Sequence, residues 1–96
     1  MVWLNWGMRA DRLNLPPTVL YKGKRSLDAV GYAEASPLDH GPSVVPGHWG
    51  AQVIDELAVA PTDITVYKHR LSGFQDNELD SLLRLGGVQT LLWAGV

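Results

Sequence analysis

Cysteine is absent from the 96 residues. No disulfide, thiolate metal site or cysteine nucleophile can therefore lie within them. An excess of positive charge is also missing. Lys and Arg total 8 against 10 Asp and Glu, for a net charge of −2. That balance gives no field to draw in nucleic acid or an anionic membrane, so neither is expected as a partner. No apolar run is long enough to span a bilayer. No basic stretch leads into an apolar one at the N-terminus, as a signal peptide would require. With the lack of Cys, this points to a cytoplasmic protein. Internal repeats are absent. So are the phosphate-binding patterns G-x-G-x-x-G and G-x-x-x-x-G-K-[ST], since the Gly23-Lys24 pair lacks the first glycine and the strand-to-helix setting. No G-x-S-x-G elbow supports Ser43 or Ser72 as a nucleophile.

What is present fits a small folded domain over residues 1–96. Apolar residues make up 46% and charged residues 19%, a globular rather than a disordered balance. A chain this short buries a modest core. Four Trp are many for its length, and each is a large apolar group with one N–H to satisfy.

Val2 to Asn5 reads as a strand. Pro16-Pro17 is expected to stop any helix. Residues 22–47 hold seven Gly and Pro (Gly23, Gly31, Pro37, Gly41, Pro42, Pro46 and Gly47) and no periodicity, which reads as a long surface loop. Trp49, Val53 and Leu57 recur every four residues, with Ile54 beside them, and predict a helix over 48–57. Ile64 to Lys68 alternates as a strand, with Ile64, Val66 and Lys68 on one face and Thr65 and Tyr67 on the other. Asp76 is a suitable N-cap for a helix with Leu79, Leu82 and Leu83 inward. Glu78 and Asp80 suit its first turns, Arg84 its last, and Gly86 or Gly87 its stop. Thr90 to Gly95 is nearly continuous apolar sequence, as in a strand buried on both faces.

Strands alternating with helices predict an α/β fold with a mostly parallel sheet. Ligands of such sheets bind beyond the carboxyl ends of the strands. Asn5 and Trp6, Lys68 and His69, and Gly95 and Val96 occupy those ends. Lys68 is thus the foremost candidate: a partly desolvated ammonium there can act on a nucleophile or a carboxylate. The alternative is a stem that reaches back to water. His40, His48 and His69 match no compact ligand spacing, so no metal is expected. Trp6 and Trp49 suit a pocket or the core equally, whereas Trp3 and Trp93, within strands, suit the core.

The run Pro46-Gly-His-Trp-Gly-Ala-Gln-Val-Ile-Asp-Glu-Leu57 resembles the helix entry of isochorismatase-like cysteine hydrolases. The same order follows here: Asp63-Ile-Thr-Val-Tyr-Lys-His-Arg70, a loop Leu71-Ser-Gly-Phe74, the Leu-rich Glu78-Leu-Asp-Ser-Leu-Leu-Arg84, and Thr90-Leu-Leu-Trp-Ala-Gly-Val96. Val2 to Trp6 with Asn14-Leu-Pro-Pro17 is similar to the family's second strand and its exit. The resemblance implies a partial three-layer α/β/α, Rossmann-like fold. It also implies a Cys-Lys-Asp hydrolase acting on an amide C–N or enol-ether bond of a small molecule. Lys68 would be the lysine that steadies the thiolate and charge at the reacting carbonyl. The Asp would transfer protons, and backbone N–H groups at the nucleophile turn would form the oxyanion hole. By position, Trp49 and Phe74 would be candidate walls of the substrate pocket.

The family's Asp precedes the strand matching Val2–Asn5, and its Cys lies in a motif G-V-x-T-x-x-C that this sequence enters only at Gly95-Val96. The expectation is therefore a fragment with Lys68 as its one catalytic group, inactive alone and without cofactor. Metal-binding members carry an Asp and His near the second strand; Asn5-Trp6-Gly7 stands here, so zinc is not expected. The missing first strand would lie between Val2–Asn5 and Thr90–Gly95. Those two should then pair directly or leave apolar edges that favour a homo-oligomer or a complementary fragment. A non-catalytic interaction or oligomerisation module is the alternative function.

Overall fold

The computed structural model describes residues 1–22, 24–34 and 41–95. Expectations for Gly23, Pro37, His40 and Val96 fall outside them. Two five-residue strands, β1 (Val2–Trp6) and β2 (Ile64–Lys68), pair in parallel. Both match the strands read from the sequence, with β1 one residue longer than expected. The register sets Val2 against Ile64, Leu4 against Val66 and Trp6 against Lys68. Ile64 N–H donating to Met1 O, and Gly7 N–H to Lys68 O at 2.8 Å, carry the pairing past both ends.

Asp63 fastens the start of this ladder. Its carboxylate accepts from the Met1 ammonium at 2.7 Å, the Trp3 indole N–H at 2.9 Å and the Ala60 N–H at 3.0 Å. In that order of importance, these donors hold its pKa down from 3.8 to about 2.

Pro16 and Pro17 do not exclude a helix: they start one. α1 (Pro17–Leu20) is a single turn with Pro17 in its first position, where the missing amide leaves no bond unmade and the fixed φ suits the turn. The 22–47 connection is irregular among the described residues, as expected, but it is not only surface. Ala33 and Val45 are buried with Met8, and Trp6, Leu15, Val19, Tyr32 and Val44 pack around them. Glu34 pins this segment through Arg12 at 2.6 Å, Lys24 at 2.8 Å and the Gly31 N–H at 2.7 Å. Its pKa is lowered, chiefly by the Lys24 hydrogen bond.

The helix expected over 48–57 is reduced to one 3-10 turn, Trp49–Ala51. Ile54 and Leu57 of its apolar stripe are exposed. A helix of this length draws its stability from tertiary packing rather than propensity, and here the stripe is not covered. α2 (Leu79–Leu85) forms with Leu79 buried and Leu82 and Leu83 half-buried. Glu78, not Asp76, stands at its N-cap, without a side-chain bond. Asp76 has φ 62°, a left-handed conformation that Asp tolerates, and its carboxylate is taken by His69 and Arg70. Asn77 Oδ1 instead accepts from Leu79 N–H at 2.9 Å. Asp80 and Arg84 pair across one turn, and Gly87 (φ 65°) makes the left-handed stop.

Thr90 to Gly95 forms no strand and does not pair with β1. Leu92 is 97% exposed, and Trp93, expected in the core, is 62% exposed. A strand persists through its ladder, and none is offered here. The chain exposes 7309 Å², against about 5,400 Å² for a compact monomer of this size. Among the described residues no helix is long and apolar enough to cross a membrane.

Because the Asp63 carboxylate is more acidic when folded, its contribution to stability is full above the unfolded pKa and is lost as pH falls toward about 2. Urea midpoints measured from about pH 5 down to pH 2 should fall less steeply for Asp63→Asn than for the parent chain. Equal slopes would show that Asp63 does not fasten the ladder.

Candidate functional site

Residues that alternate along paired strands share a face when they lie opposite each other. Val2, Leu4, Trp6, Ile64, Val66 and Lys68 thus form one face of the sheet. Val66 is fully buried there. The other face carries Trp3, Asn5, Thr65 and Tyr67, and from it Asn5 Nδ2 donates to Ala51 O at 3.4 Å. Lys68 is half-buried at the carboxyl edge. Its Nζ lies 4.2 Å from the Trp6 ring centroid and donates to Leu71 O at 3.3 Å. Trp6 in turn stacks on Tyr32, with centroids 6.4 Å apart and planes 18° from parallel.

The chain leaving Lys68 is tied down by charge. His69 Nε2 and Arg70 Nη2 lie 3.0 and 3.1 Å from one Asp76 oxygen. That carboxyl is held below its usual range, first by the His69 hydrogen bond and then by the charges of His69 and Arg70. Arg70 Nη1 also donates to Asn14 O at 2.6 Å. Asn14 Nδ2 donates to Gly7 O at 3.3 Å, and its Oδ1 accepts the Arg9 N–H at 3.1 Å. The exits of both strands are thereby joined. Gly7 is required for closeness: a Cβ there would sit 2.4 Å from Tyr67 Cβ.

Of the residues read from sequence, Lys68 stands at this edge. Trp49 stands in the turn reached by Asn5 from the opposite face and is 67% exposed. Phe74 lies in the loop after Lys68 and packs edge-on against Trp93, centroids 5.7 Å apart. His48 is half-buried in the connection before the turn. Among the described residues no three His, Cys, Asp or Glu side chains gather as a metal site. Tyr32 and Asp76 were not anticipated at this edge. Tyr32 lies in a stretch without periodicity, and Asp76 carries an N-cap pattern that concealed its role.

An apolar groove of about 220 Å³ opens on the same sheet face, away from the carboxyl edge. Val2, Leu4, Leu79, Leu83, Leu91 and Trp93 are among its walls.

Lys68 thus ends a strand of a parallel sheet, and comparison with known proteins specifies the family. The isochorismatase domain model matches residues 22–96. Ureidoacrylate amidohydrolase RutB of Cronobacter sakazakii is 40% identical along the whole chain, which covers 41% of that protein. The protein of that name from Caulobacter segnis is 36% identical over 69 residues, 72% of this chain and 29% of its own length. That from Stutzerimonas stutzeri is 43% identical over 56 residues, 58% of this chain and 23% of its own. The chain belongs to the isochorismatase family, whose domain is an α/β fold, and spans about two fifths or less of these curated relatives.

Gly7→Ala should lower stability by about 1–3 kcal/mol, the usual cost of forcing atoms into an occupied space. Hydrogen exchange at the residue-7 amide, bonded to Lys68 O, should accelerate with it. Unchanged exchange would mean that the close approach to Tyr67 does not hold the strand exits together.

Proposed function

We propose that this chain is the lysine-bearing part of a hydrolase that cleaves an amide C–N bond of a small molecule, with an enol-ether bond as the alternative target. The observation that carries this reading is Lys68: it lies within the segment matched to the isochorismatase domain, at the carboxyl end of β2, with its ammonium held beside Trp6. An ammonium fixed there would stabilise a thiolate and the charge that grows on a carbonyl under attack. The chain contains no Cys, so the nucleophile must come from outside these residues, and with it the Asp that moves protons. Alone, residues 1–96 form a partial domain without turnover by this route. Trp49 and Phe74 are proposed as walls of the substrate pocket. The reading invokes no cofactor or metal and places the protein in the cytoplasm. The relatives' name, ureidoacrylate amidohydrolase, favours the amide over the enol ether.

A chimera tests this. Residues 1–96 would replace the matching part of the Cronobacter sakazakii relative, and hydrolysis of ureidoacrylate would be followed. The chimera should turn over, and Lys68→Ala should reduce kcat/KM by on the order of 10²–10³, the cost of removing one preorganised charge-stabilising group. The unjoined chain should show no more activity than its own Lys68→Ala variant. Activity in the chimera that is indifferent to Lys68 would overturn the assignment.

One observation favours a second reading, a non-catalytic interaction module. The apolar groove beside β1 and the exposed 90–95 segment are the kind of surface that takes an apolar strand from a second copy or from a complementary chain. Sedimentation equilibrium over a hundredfold range of concentration should then show reversible association. A monomer throughout would count against self-assembly.

A further inference from the structure

Trp6 and Lys68 end the two strands directly opposite each other, so their side chains rise from the same face at the same height. The lysine has four rotatable carbons and, without a partner, would sweep a wide volume of solvent. Among the described residues no carboxylate pairs with it. Its contacts are the Trp6 ring face at 4.2 Å and the Leu71 carbonyl at 3.3 Å. Trp6 is itself fixed: Tyr32 stacks on it, and both pack against the buried Met8, Ala33 and Val45.

We propose that Trp6, backed by Tyr32, is the positioning residue for Lys68. The inference rests on the role given to Lys68 above. An indole face attracts a cation through its quadrupole and carries no net charge. It therefore fixes the ammonium without neutralising it. A carboxylate in the same place would position the group equally well but would spend its charge, leaving less for an anionic nucleophile or a developing oxyanion. Tyr32 also makes the clamp depend on the long connection, because the residue that braces Trp6 comes from it.

The test uses the chain with 13C-labelled lysine, read by 1H–13C correlation. Lys22, Lys24 and Lys68 are its lysines, and the Lys68 signal is assigned by its loss in Lys68→Arg. The Lys68 ε-CH2 protons should lie upfield of those of exposed Lys22, from the ring current of Trp6. Trp6→Phe should keep a shift of the same sign, and Trp6→Leu should abolish it while exchange protection of the Gly7 amide persists. A Lys68 signal coincident with Lys22 in the parent chain overturns the clamp, even if Trp6→Leu fails to fold. In the chimera, Trp6→Leu should lower kcat about tenfold or more with KM little changed, and Trp6→Phe should recover most of it. An unchanged kcat in Trp6→Leu overturns the positioning role. Failure of the hydrolase reading is separate: Lys68→Ala would then leave activity intact although the upfield signal is present.

Discussion

The structure depends on one parallel pairing, β1 with β2. Parallel strands cannot be joined by a tight turn, so residues 7–63 form a crossover whose two ends are set by the ladder. Gly7 bonds to Lys68 O at one end, and Asp63 binds Met1 and Trp3 at the other. The register decides the chemistry as well as the fold. Slipping it by one residue would move Lys68 away from the face that bears Trp6, and with it the cation at the carboxyl edge.

Around this ladder, one cluster of buried residues forms, Met8, Ala33 and Val45, beyond the end of β1. Val66 on the sheet face and Leu79 on α2 are also buried. The groove between β1, α2 and the 88–93 segment is apolar and open. Apolar faces of this kind stay open where nothing packs against them.

The carboxyl edge is, by contrast, well determined. Asp76 draws His69 and Arg70 together, Arg70 reaches Asn14, and Asn14 reaches Gly7. These links hold the backbone on either side of Lys68 while leaving its ammonium unpaired with any carboxylate among the described residues. A cation kept whole and kept still is the property that stabilisation of a thiolate or oxyanion needs.

The sequence by itself determined both strands, the Leu79–Leu83 stripe of α2, the glycine stop after it and the position of Lys68 at a strand end. These are local features: alternation, helical spacing and backbone freedom act over a few residues whatever surrounds them. It also carried the family, in the ordered run from Pro46 to Val96. Tertiary structure decided the rest. The 48–57 stripe and the 90–95 run are correct as patterns, yet neither becomes a helix or a strand. Amphipathic helices and apolar strands are stabilised by what covers them. Asp76 had the residue type of a cap, but a paired His69 and Arg70 outcompeted two backbone amides for its carboxylate. Pro17 showed the reverse, a residue that breaks helices in their middle and begins them at their first turn. The placing of Tyr32 behind Trp6, and of Trp6 under Lys68, required the long crossover to fold back on the strand ends, which no local pattern encodes.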